Sequence, residues 1–127
     1  MIVREYNWAD FDDVSRIHRA QNLDYELPDL FSPMIIVKTV AMAGSELVGA
    51  AFLRLTSEAF LLIDPRAEKK AHIFMALHDN ARQKAAQAGL DDANAWLPPQ
   101  MAEKFGYQLM RLGWRRQDWP SFSREVR

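Results

Sequence analysis

Between Leu61 and Leu77 an apolar run, Leu61-Leu62-Ile63, stops at Asp64-Pro65. The chain then crosses Arg66-Ala67-Glu68-Lys69-Lys70-Ala71-His72 and enters a helical pattern at Ile73-Phe74-Met75-Ala76-Leu77. The chemistry this stretch offers is anion binding. The first turn of a helix carries unpaired N–H groups and a partial positive charge, and phosphates are drawn to both. Lys69, Lys70 and His72 add charge of the right sign. No glycine stands in the loop, so the backbone lacks the close approach that a glycine-rich phosphate cradle has.

A second constellation lies near the C-terminus, where Trp114, Trp119 and Phe122 interleave with Arg115, Arg116 and Arg124. Aromatics alternating with arginines suit three roles: the outer face of a final hairpin, a protein-docking surface, or a grip on nucleic acid bases and phosphates. The first two are preferred over the third. Charge is unevenly spread although the net is −1: residues 1–33 hold three Arg against seven acids, and residues 104–127 hold six Lys or Arg against two acids. This fits two differently charged faces of one domain, or a basic surface at the C-terminus for an anionic ligand or partner.

Other chemistries find no support. There is no cysteine, which excludes disulfides, thiol catalysis and Cys-ligated zinc. His18, His72 and His78 lack metal-ligand spacing, and His18 sits beside the apolar stripe of the first helix as a packing residue. No metal is expected. Neither a Gly-x-Ser-x-Gly elbow nor a Walker-type loop occurs, so hydrolase and NTPase readings fall away.

The elements that must position these residues follow from periodicity. At 127 residues, with 49% hydrophobic and 26% charged, residues 1–127 read as a single domain around one core. Ile2 to Tyr6 alternates as a first strand. Asn7 is placed to cap a helix in which Trp8, Phe11, Val14 and Ile17 recur at helical spacing as far as Gln21. Pro28 and Pro33 break the next stretch, leaving Leu27 to Phe31 one or two turns at most. Met34 to Ala41 and Leu47 to Leu55 read as strands joined at Ala43-Gly44-Ser45, and Gly49 suggests a bulge. Ala59 to Ile63 reads as a further antiparallel strand. A helix from Lys69 to Ala88 stops at Gly89, and Ala93 to Leu97 reads as a strand parallel to the one ending near Asp64. A helix opened by Pro98-Pro99 buries Met101, Phe105, Leu109 and Leu112 and stops at Gly113. The tail from Trp114 to Val126 returns as a strand pair or an arm. No apolar run approaches a membrane span and the N-terminus has no signal-peptide pattern, so a cytoplasmic setting is expected.

This order, β-α-α-β-β-β-α-β-α-β, resembles the GNAT superfamily of acyl-CoA-dependent N-acetyltransferases over nearly the whole chain. Ile63-Asp64-Pro65, the basic loop and Ile73-Phe74-Met75-Ala76-Leu77 look like the family's strand, pyrophosphate loop and helix. Leu109-Met110-Arg111-Leu112-Gly113-Trp114 looks like its late aromatic-x-x-Leu-Gly-Phe element. The resemblance implies an α/β (α+β) fold, a mixed twisted sheet of six to seven strands flanked by helices. It also implies acetyl-CoA as cofactor, held by Ile63, Lys69, Lys70, Ala71, His72, Ile73 and Phe74, with Asp64 or Glu58 as general base. Two departures stand out. His72 and Phe74 occupy the family's glycine positions, and Leu109 stands where many members place the Tyr that protonates the departing thiolate. The chain is also similar to small GNAT-like proteins of tailed phages, which often end in a Trp-rich tail.

Two functions follow as expectations. One is transfer of an acetyl group from acetyl-CoA to a small-molecule or protein amine. The other is a catalytically inactive GNAT-like binding or assembly protein, phage-encoded and working in host cytoplasm or virion. It would dock a protein partner through Trp114, Arg115, Arg116, Trp119 and Phe122.

Overall fold

The computed structural model describes residues 1–127, which form two compact units: Met1–Ser57 with Leu61–Ala93, and Glu58–Phe60 with Asn94–Arg127. The first unit holds strand β1 (Ile2–Glu5), a 3₁₀ turn (Trp8–Asp10), helix α1 (Phe11–Gln21), strands β2 (Ile35–Ala43) and β3 (Glu46–Arg54), and helix α2 (Lys70–Gln87). The second unit holds helix α3 (Pro99–Arg111).

The sheet has three strands in the order β1-β2-β3, and both pairings are antiparallel. Its register sets Val3 against Ala41 and Val40 against Ala50. Gly44 opens the two-residue link between β2 and β3 at φ 62, the left-handed backbone that such a hairpin turn asks of its first central residue. The register slips between Ala41 and Met42, where Val48 is the extra residue beside Gly49, so the bulge expected at Gly49 is present.

One sheet face carries the core. Val14 of α1 and Leu30 of the following loop meet Val40 and Leu47 of the sheet, all at 4% exposure or less, with Tyr6, Ile17, Leu27, Met42 and Phe52 packed around them. Strand alternation turns Val3, Val37 and Leu53 to the opposite face. There Val3 and Leu53 remain 66% and 59% exposed. α2 contributes no buried side chain, and α3 contributes only Leu109.

This architecture corrects the expectation of a GNAT-type mixed sheet. Such a fold needs six to seven strands, whereas the chain forms three, without a parallel crossover between strands. Ala59 to Ile63 is irregular, with Phe60 and Leu62 at 83% and 91% exposure. Ala93 to Leu97 joins no ladder beyond one isolated parallel bridge from Asn94 to Glu58, beside the Ala59 N–H to Asn94 carbonyl bond of 2.7 Å. The tail after Trp114 has neither helix nor strand. The reason is physical: a short apolar run becomes a strand only when a neighbouring edge satisfies its backbone, and these runs are bounded by Pro65 and Pro98-Pro99, which donate no hydrogen bond.

The helix ends match the sequence reading. α3 closes with Gly113 at φ 97, its N–H bonded to the Met110 carbonyl while the Trp114 N–H reaches back to Leu109. This is the glycine-dependent Schellman stop. α2 ends in the same way, through Gly89 and Leu90. No helix is long and apolar enough to cross a membrane.

Candidate functional site

At the start of α2, Lys69 takes a left-handed conformation (φ 56) and no side chain caps the first turn. The turn therefore keeps its partial positive charge, with exposed Lys69, Lys70, Ala71 and His72 around it. Ile73 and Phe74 lie half-buried behind them, and the Phe74 ring sits 5.7 Å from that of His78. The strand expected to end at Ile63 is absent, so the helix start has no strand end beside it in sequence.

The proposed bases have local duties. Asp64 accepts a 2.9 Å hydrogen bond from the Arg66 N–H and lies 3.5 Å from Arg66 Nε, which is the turn role its place before Pro65 favours. Glu58 belongs to the second unit and pairs with Asn94 through the backbone bridge. Leu109 is the buried residue of α3 and anchors its C-terminal stop.

In the tail, Arg115, Arg116, Trp119 and Phe122, expected from the sequence to dock a partner, are exposed, while Trp114 is half-buried. Phe122 stands at 95% exposure and Trp119 at 61%. Trp96, on the segment leading into α3, is 57% exposed.

A site that the periodicity of α1 concealed lies in the first unit. Asn7 Oδ1 accepts from the Ala9 N–H, and Asp10 Oδ2 accepts from the Asn7 N–H, a reciprocal capping box that starts the 3₁₀ turn and sets Trp8 outward. α1 then presents Phe11, His18 and Arg19 along one side. The loop after α1 is pinned by buried Leu30, whose carbonyl accepts a 2.9 Å bond from Lys38 Nζ. Asp29 turns the loop by accepting from the Phe31 N–H at 3.0 Å, which brings the Phe31 ring to 5.2 Å from Trp8. Trp8 also stacks on Phe11 at 5.5 Å. The outcome is an open cleft of about 410 Å³, mainly apolar, with Trp8, Phe11 and Phe31 as its aromatic wall and His18, Arg19 and Asp29 among its lining. Buried His18 Nε2 has no hydrogen-bond partner, and its ring meets the edge of Tyr25 at 5.4 Å.

Trp8 and Phe11 share the helical spacing of Val14 and Ile17 in the sequence. Trp8 is nonetheless 62% and Phe11 36% exposed, and Val14 carries the core contact. A second helical stripe, Phe11-Ser15-His18 with Arg19, was the available signal, together with the ring of Phe31 just after Pro28.

No family model, characterised protein or solved structure matches the chain.

Proposed function

We propose that this protein is a docking component that engages a protein partner through its Trp- and Arg-rich C-terminal segment, residues 114–122. The observation that carries the reading is the exposure of Trp119 and Phe122 beside Arg115 and Arg116, on a segment without helix or strand. Trp and Arg dominate interface energetics because they combine large apolar area with directional polar contact. Trp119 and Phe122, at 61% and 95% exposure, leave aromatic surface that a partner would cover.

The test is retention of a purified binding partner by the immobilised full chain, compared with a variant carrying Arg115→Ala, Arg116→Ala, Trp119→Ala and Phe122→Ala. Loss of about tenfold or more in affinity supports the reading. An unchanged partner and affinity, with unchanged circular dichroism, removes it.

Acetyl transfer remains as a second reading because of one feature, the uncapped and lysine-bearing start of α2. The lack of the expected strands and Leu109 in place of Tyr weigh against it. Acetyl-CoA titration of melting temperature separates the two. Binding raises the midpoint by mass action, and Lys69→Ala with Lys70→Ala reduces the rise. No shift at millimolar acetyl-CoA eliminates the enzyme.

A further inference from the structure

The two ends of the sequence carry opposite charge and matching apolar chemistry. Residues 1–33, with three Arg against seven acids, contain the Trp8-Phe11-Phe31 cleft. Residues 104–127, with six Lys or Arg against two acids, contain the exposed Trp119 and Phe122. Within the first region the exposed Asp12 and Asp13 open α1 beside Phe11, Asp13 pairing with Arg16 at 3.4 Å, and the exposed Asp29 lines the cleft together with Arg19. The cleft volume of about 410 Å³ accommodates an aromatic side chain with room for its neighbours.

We infer that the partner of the C-terminal segment is a second copy of this chain, whose aromatic cleft receives Phe122 and Trp119 while Arg115, Arg116 and Arg124 face its acids. The inference rests on the docking reading above and supplies its partner and its receiving site. Two forces contribute. Burial of Phe122, at 95% exposure, against Trp8 and Phe31, themselves 62% and 71% exposed, removes apolar surface from water on both sides. The opposite charges steer the approach and fix its direction, and exposed pairs of this kind weaken with added salt. The tail differs from the cleft it enters, so copies join either by reciprocal exchange into a two-fold pair or head to tail into larger rings and open chains.

The experiment is sedimentation velocity of the full chain from micromolar to near-millimolar concentration, at low and high salt. The wild type should associate as concentration rises, and salt should weaken the association. Trp8→Ala with Phe31→Ala destroys the cleft, and Trp119→Ala with Phe122→Ala destroys the tail. All four side chains are largely exposed, so both variants should keep the wild-type circular dichroism. Each variant alone should associate about tenfold or more weakly than the wild type. An equimolar mixture of the two should restore one-to-one complexes, since it contains one intact cleft and one intact tail. That complementation is the decisive result. A wild type that stays monomeric throughout, or variants that associate as strongly as the wild type, overturns the inference. If the chain is monomeric yet its tail variant loses a different protein partner, the second copy is wrong and the docking reading stands.

Discussion

Arg4 and Asp10 are joined by two hydrogen bonds of 2.8 Å each, Nη1 to Oδ2 and Nη2 to Oδ1, which tie β1 to the turn that launches α1. Asp10 is buried, and its carboxylate also accepts from the Asn7 N–H. The Arg4 hydrogen bonds first, and then the Asn7 N–H, hold its pKa down at about 2 from the ordinary 3.8, against the opposing effect of burial. A carboxyl depressed in the folded state stabilises the protein above its unfolded pKa, and that contribution is lost as pH falls through the folded value. The loss should run from about pH 4 down to pH 2. Asp10→Asn should cost about 1–3 kcal/mol at neutral pH and flatten this acid limb. Urea titrations at stepped pH measure both, and an equally steep limb in the variant refutes the assignment.

Val40 is the most deeply buried side chain, at 1% exposure, and Val48 lies at 43% on the neighbouring strand. Val40→Ala should cost about 2–3 kcal/mol through lost burial and the cavity left behind. Val48→Ala should stay within about 0.5 kcal/mol. Equal costs in chemical denaturation would show that the core is not centred on Val40.

Two glycines of the hairpin make a contrast. Gly44 needs the left-handed region at φ 62, so Gly44→Ala should destabilise by about 1–2 kcal/mol. A Cβ at Gly49 would meet only the Ala41 Cβ at 3.9 Å, an ordinary contact, so Gly49→Ala should change the melting temperature little. The reverse ranking would contradict the turn geometry.

Hydrogen exchange should divide the first unit. Amides of β2 and of α1 around Val14 sit against the core and should exchange slowly. α2 buries no side chain and should exchange near the rate of local fraying. Protection in α2 equal to that in β2 for the isolated chain would mean that α2 has a covering surface not seen in this fold.

The parts legible in the sequence are those set by neighbours along the chain. Asn7 with Asp10 announces a capping box, the β-branched run from Ile35 to Val40 a strand, Gly44 a hairpin, and Gly89 and Gly113 the ends of helices. What was not legible depends on distant pairing. Leu61-Leu62-Ile63 and Ala95-Trp96-Leu97 have strand-like composition, yet composition does not state whether an edge is available to receive them. The resemblance to a larger sheet rested on those two runs. The candidate sites divide similarly: Asp64 went to a turn, a role its Pro65 neighbour already suggested. The Trp8-Phe11-Phe31 wall required knowing where the loop after α1 folds back.

The main core draws on Val14, Leu30, Val40 and Leu47, and nothing packed around them lies beyond Phe52. A ribosome making this protein therefore finishes everything that cluster needs while the second half is still unmade. The antiparallel meander can condense during translation, and the later segments emerge beside a nucleus already in place.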